Sequence, residues 1–134
     1  PAAQYRERLP RQLSGGQQQR VGFARALAVC PKVILLEEPF GALDPVAAAE
    51  LRGEFLSLRK NLGLTAVMVT HDMIEALLSA DLIAVMNAGR LLQVGTPQEL
   101  MACPADPFVA ALMDNPKSQT RQLDELMGIP GAAP

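Results

Sequence analysis

Short, dense apolar runs alternate with longer amphipathic stretches, and this alternation constrains the fold more than any single residue. Val33-Ile34-Leu35-Leu36, bounded by Pro31 and by Glu37-Glu38-Pro39, suits a buried strand. Thr65-Ala66-Val67-Met68-Val69-Thr70 is a second run, ending at His71-Asp72. Leu82-Ile83-Ala84-Val85-Met86 and Leu91-Leu92-Gln93-Val94 are a third and a fourth, and Asn87-Ala88-Gly89-Arg90 between them reads as a hairpin turn. Helices are predicted between the runs. Over residues 16–29, Val21, Ala24, Leu27 and Ala28 recur at helical spacing and Pro31 ends the pattern. Over residues 45–61, Leu51, Phe55, Leu58 and Leu62 share a face, and Gly63 stops it. A short helix follows over residues 72–79. Thr96-Pro97-Gln98-Glu99 reads as a capped start, with Thr96 as N-cap, Pro97 at N1 and Glu99 at N3. Two further short helices are predicted over residues 107–113 and 119–127, and the Pro/Gly-rich stretch 128–134 is expected to be disordered. Strands alternating with helices imply an α/β fold with parallel central strands, to which the hairpin adds an antiparallel element.

Composition narrows the classes. The chain has 134 residues, enough for one domain or a piece of one. Hydrophobic residues make up 49% and charged residues 19%, so there is apolar material for a packed core. The formal charge of -2 and the lack of any Lys/Arg cluster argue against a large nucleic-acid footprint. Cys30 and Cys103 lie far apart with no CxxC and no neighbouring histidine, which reads as two reduced thiols of a cytosolic protein. No apolar run approaches the roughly 20 residues of a spanning helix, and no signal peptide opens the chain. The first residue is Pro1 rather than Met, which leads to the expectation that an upstream part is missing.

The residues that carry chemistry fall into three groups. In Leu13-Ser14-Gly15-Gly16-Gln17, Ser14 can cap the following helix and the glycines let a ligand approach the backbone. A helix N-terminus then offers free N–H groups and a partial positive charge to an anion. Taken alone this is also an ordinary capped helix after a glycine turn. Glu37 and Glu38 end the first strand, and consecutive strand residues point to opposite faces, so the two carboxylates are not redundant. His71, the only histidine, ends the second strand. In open α/β sheets ligands sit at the carboxyl ends of strands, which puts Glu37, Glu38 and His71 at one edge. Asp44-Pro45 is a helix entry, with Asp44 suited to cap it.

The run Leu13-Ser14-Gly15-Gly16-Gln17-Gln18-Gln19-Arg20-Val21, continued by Ala24-Arg25-Ala26-Leu27, resembles the signature motif of ABC ATPases. Val33 to Leu36 with Glu37-Glu38-Pro39 looks like their Walker B strand, Gly41-Ala42-Leu43-Asp44-Pro45 like their D-loop, and Val69-Thr70-His71-Asp72 like their switch histidine. The motifs follow the family's order and spacing from Tyr5 to about Val109. The resemblance implies the C-terminal part of an ABC cassette, a P-loop NTPase-like fold, over residues 1–113, with a C-terminal helical extension and tail over 114–134. It implies ATP and Mg²⁺ as cofactors, with Ser14, Gly15, Gly16, Gln17 and Asp44 serving nucleotide. Glu37 would hold Mg²⁺, Glu38 would polarise the attacking water and His71 would contact the γ-phosphate. The family usually has Asp where this chain has Glu37, which keeps the charge, lengthens the reach and is expected to lower the hydrolysis rate.

No Gly-x-x-x-x-Gly-Lys-Ser/Thr occurs in the sequence. By resemblance, then, the chain supplies its signature loop to a partner's nucleotide and does not cradle its own. The implied protein is the ATPase subunit of an ABC importer, peripheral at the cytoplasmic face of the membrane. Its implied partners are a second ATPase subunit, transmembrane permease subunits and, indirectly, a substrate-binding protein, with no nucleic acid. Tyr5-Arg6-Glu7-Arg8-Leu9-Pro10-Arg11-Gln12-Leu13, Pro104-Ala105-Asp106-Pro107-Phe108-Val109 and the stretch from Asn115 to Leu126 resemble osmoprotectant importers, which points to glycine betaine and related quaternary amines. The alternative is a non-catalytic shortened cassette that pairs with a complete ABC subunit and regulates it. A soluble ABC protein of DNA repair or translation is a third reading; it lacks support because neither a coiled-coil insertion nor a second cassette is present.

Overall fold

The computed structural model describes residues 7–127. The chain divides into two compact units, Pro1–His71 and Asp72–Pro134. In the first, a 3-10 turn at Pro10–Gln12 leads into helix α1 (Gly15–Leu27), strand β1 (Val33–Glu37), helix α2 (Pro45–Leu62) and strand β2 (Thr65–Val69). β1 and β2 pair in parallel, Val33 opposite Thr65 through Glu37 opposite Val69, and α2 is the crossover between them. Helix α1 ends sooner than Pro31 alone would dictate. Cys30 takes a left-handed φ of 49° and returns its N–H to the Leu27 carbonyl at 2.9 Å, closing the helix at Leu27. Helix α2 starts on the Asp44 cap with Pro45 at its first position. It stops at Gly63, whose φ of 61° lets Leu64 N–H reach the Arg59 carbonyl at 3.0 Å. The core of this unit is Phe23, Ile34, Phe40, Leu51, Phe55 and Leu64. Phe23 stacks on Phe55 with ring centroids 5.1 Å apart and meets Phe40 at 6.2 Å.

Only one face of β1 is buried. Ile34 is covered, whereas Val33 and Leu35 are exposed, as are Val67 and Val69 beside them on β2. The all-apolar runs thus belong to strands with one bare apolar face within this chain, rather than to strands covered on both sides.

The second unit contains α3 (Met73–Ser79), β3 (Ile83–Asn87), β4 (Arg90–Gly95), α4 (Pro97–Ala102) and α5 (Pro107–Met127). β3 and β4 are antiparallel and form their own two-stranded sheet. Ala88 and Gly89, with φ of 46° and 74°, make the two-residue turn that the strand twist favours. The register shifts after Val85, leaving Leu92 as the extra residue of a bulge. Helix α4 has the expected capping box, Glu99 N–H to Thr96 Oγ1 at 3.2 Å and Thr96 N–H to Glu99 Oε2 at 2.7 Å. Ile83, Val85, Leu100, Val109 and Met113 form the core.

The two short helices expected over 107–113 and 119–127 are one continuous helix. Pro116 lies inside α5, where its missing N–H and its ring normally interrupt helix bonding. Beyond the proline, two side chains add bonds to the helix backbone. Ser118 Oγ donates to the Asn115 carbonyl at 2.8 Å, and Thr120 Oγ1 donates to the Pro116 carbonyl at 3.0 Å. Pro116 itself is buried. The expected tail from Gly128 to Pro134 lies outside the described residues.

Candidate functional site

All eight candidate site residues lie in the first unit, on the loops that leave β1 and β2 and on the caps of α1 and α2. Glu37 is the last residue of β1 and is exposed. Glu38 follows in a left-handed conformation, φ 43°, while its N–H still donates to the Val69 carbonyl at 2.9 Å. This backbone state is uncommon for a residue with a Cβ. It separates the two carboxylates more sharply than strand alternation does, because Glu38 turns out of the strand towards the end of β2. There His71 donates its backbone N–H to Glu38 Oε1 at 3.0 Å, and His71 Nδ1 stands 2.7 Å from the same oxygen. Thr70 Oγ1 donates to Glu38 Oε2 at 3.4 Å. The His71 ring bond, helped by the His71 backbone N–H and the Thr70 hydroxyl, holds the Glu38 carboxyl below the usual carboxylate range against some desolvation. An ionised carboxylate beside an exposed imidazole is a proton acceptor next to a hydrogen-bonding group able to meet an anion.

The loop at α1 is built differently. Ser14 is the N-cap, and its Oγ accepts from Gln17 N–H at 3.3 Å. Gln17 Oε1 in turn accepts from Ser14 N–H at 3.0 Å, so Ser14 and Gln17 cap each other. Gln18 Nε2 donates to the Pro10 and Leu13 carbonyls, both at 3.1 Å, and pins the chain entering the helix. Neither Gly15 nor Gly16 has a left-handed φ. A Cβ at Gly15 would meet the Ala42 carbonyl and Leu43 at 3.6 Å, and one at Gly16 would meet Leu43 at 3.7 Å, both ordinary contacts. Nothing among the described residues therefore demands glycine at either position, although alanine is the better helix residue. Asp44 caps α2, with Oδ1 accepting from Val46 N–H at 3.1 Å and Ala47 N–H at 3.0 Å. Arg20 ties α1 to α2 through Glu54, with Nε and an Nη contact at 3.1 and 3.2 Å.

Glu38 and His71 are thus in direct contact, Ser14 and Gln17 are paired, and Asp44 is occupied as a cap. Glu37 joins none of these groups. Among the described residues no three His, Cys, Asp or Glu side chains gather as a metal site. One exposed carboxylate at a strand end suits Mg²⁺, which keeps most of its waters and takes few protein ligands. Two features escaped the sequence reading. Thr70 bonds Glu38, and its only signal was adjacency to His71. The Phe23–Phe40–Phe55 stack lies under the Glu38 turn, and its three members are scattered through the sequence.

Parallel β1 and β2 with a helical crossover, beside the capped glycine loop, make the site part of an α/β fold. Residues 2–41 match the family model described as ABC transporter. The chain is 46% identical over 130 residues to the choline transport ATP-binding protein OpuBA of Bacillus subtilis, a match that covers 92% of this chain and 34% of that protein. It is 53% identical over 106 residues to the glycine betaine/carnitine/choline transport ATP-binding protein OpuCA of the same organism, covering 79% and 28%. To the spermidine/putrescine import ATP-binding protein PotA of a Nostoc species it is 59% identical over 105 residues, covering 78% and 28%. The chain spans about a third of the length of these relatives. No helix among the described residues is long and apolar enough to cross a membrane.

Proposed function

We propose that the chain is the signature-to-switch part of the ATP-hydrolysing subunit of an ABC importer, acting peripherally at the cytoplasmic face of the membrane. The observation that carries the reading is the contact of Glu38 Oε1 with His71 Nδ1 at 2.7 Å, at the carboxyl ends of two parallel strands. In this reading Glu38 accepts the proton of the attacking water, a role worth roughly 10²–10⁴-fold in rate. His71 hydrogen-bonds the γ-phosphate. Glu37 would hold Mg²⁺, which when bound would supply charge neutralisation at the phosphates. Ser14, Gly15, Gly16 and Gln17 meet the nucleotide of a second ATPase subunit, and Asp44 shapes the shared interface. The undemanded glycines support this, since they leave the backbone of α1 open to an external group. Permease subunits are the remaining direct partners, and a substrate-binding protein acts through them.

For cargo we propose quaternary-amine osmoprotectants. The likeness to the choline protein extends over 92% of the chain against 78% for the polyamine protein, while the identity is 46% against 59%, so the reading rests on the extent of the match. The test is uptake of labelled glycine betaine at high osmolarity in a strain with no second betaine system. Deleting the parent gene should abolish uptake, and restoring it should bring uptake back. Unchanged uptake after deletion would contradict the assignment.

A further inference from the structure

The left-handed backbone of Glu38 needs a local cause, because a side-chain-bearing residue adopts it only where surrounding structure holds it there. Among the described residues, the Glu38 carboxylate bonds Thr70 and His71 just past the end of β2. The four residues Glu38-Pro39-Phe40-Gly41 close a turn, with Gly41 N–H on the Glu38 carbonyl at 3.3 Å. A second turn overlaps it, with Leu43 N–H on the Phe40 carbonyl at 3.1 Å. Within this loop Pro39 and Phe40 are the buried residues, and Phe40 is only 4% exposed. Its ring lies 6.2 Å from that of Phe23, which stacks on Phe55. Pro39 fixes one φ and is itself buried, and Phe40 adds an aromatic contact that reaches outside the loop to Phe23.

We propose that Phe40 is a positioning residue: its ring, seated against Phe23 of α1, holds the Glu38–Gly41 turn so that the Glu38 carboxylate meets His71. The same ring couples the helix behind the Ser14 loop to the carboxylate loop within one chain. The functional meaning of this rests on the reading of Glu38 as the hydrolytic carboxylate, but the contact itself does not.

The test is the ¹⁵N resonance of His71 Nδ1 in this chain, which reports the bond to the carboxylate. Glu38→Gln sets the value for a lost ionic bond. Phe40→Leu, close in volume but without a ring to seat on Phe23, should move the resonance more than half of the way to that value. Phe55→Leu removes a ring from the same stack without touching the turn and should leave the resonance near wild type. Equal movement in the two leucine variants, or none in Phe40→Leu, would overturn the proposal. Should Phe40→Leu fail to give a folded spectrum, Phe40→Met, which refills the pocket flexibly, is read by the same criteria. ATP turnover that survived Glu38→Gln in the complete subunit would instead remove the catalytic reading and leave this contact result standing.

Discussion

Gly15 is where conformational demand and chemical demand separate most cleanly. Its backbone is not left-handed and a Cβ there would touch only Ala42 and Leu43 at normal distance. Gly15→Ala should therefore leave the thermal stability of the chain unchanged, or raise it by up to about 1 kcal/mol through a less flexible unfolded state. In the complete subunit the same methyl group would stand where nucleotide approaches, and ATP turnover should fall by roughly 10²-fold, the scale of a small misplacement of reacting groups. Full turnover in that variant would mean that the α1 loop does not approach the nucleotide. Residues of this kind were legible in the sequence because capping is local: Ser14, Asp44, Thr96 and Glu99 all do what their spacing implies, whereas the cap that Gln17 returns to Ser14 was not read. The left-handed Glu38 was not legible. It is fixed by burial of Phe40 against Phe23, a contact between residues far apart in the chain.

At the level of elements, α4 shows how a short helix is secured. Gly95 before it is buried, and a Cβ there would lie 3.0 Å from Glu99 Oε2 and from Leu100 Cδ1, so a larger residue would push on the cap and on Leu100. The Thr96 backbone N–H, and then its hydroxyl, hold the Glu99 carboxyl below its ordinary range. A carboxyl lowered on folding stabilises the fold fully above its unfolded value of about 4.3, and that contribution is lost as pH falls through the lower folded value. Hydrogen exchange of the Leu100 amide should accordingly show α4 loosening as the solution is acidified through this window. Glu99→Gln, which keeps an acceptor but cannot ionise, should remove that pH dependence. A Leu100 amide equally protected across the window in the unaltered chain would contradict it. The strands and α1 to α4 could be read from periodicity to within a residue or two at most ends. Helix α5 could not, because Asn115-Pro116 signals a break by every local rule. What the local rules miss is the burial of Pro116 in the folded unit.

Over the whole molecule, each unit has its own core, and the candidate chemistry lies entirely in the first. One face of β1 and β2 remains bare, with Val33, Leu35, Val67 and Val69 exposed, which is apolar surface of the kind that proteins normally cover. The chain also spans only about a third of the relatives it resembles. The central claim proposed above is that Glu38 is the hydrolytic carboxylate of an ABC ATPase. The direct measurement is phosphate release by the complete subunit at saturating Mg-ATP, with Glu38→Gln beside the unaltered protein and ATP binding followed in parallel. The amide keeps the side chain's shape and loses the proton acceptor. Turnover should fall by at least roughly 10²-fold while ATP remains bound. Near-normal turnover in Glu38→Gln would contradict the account.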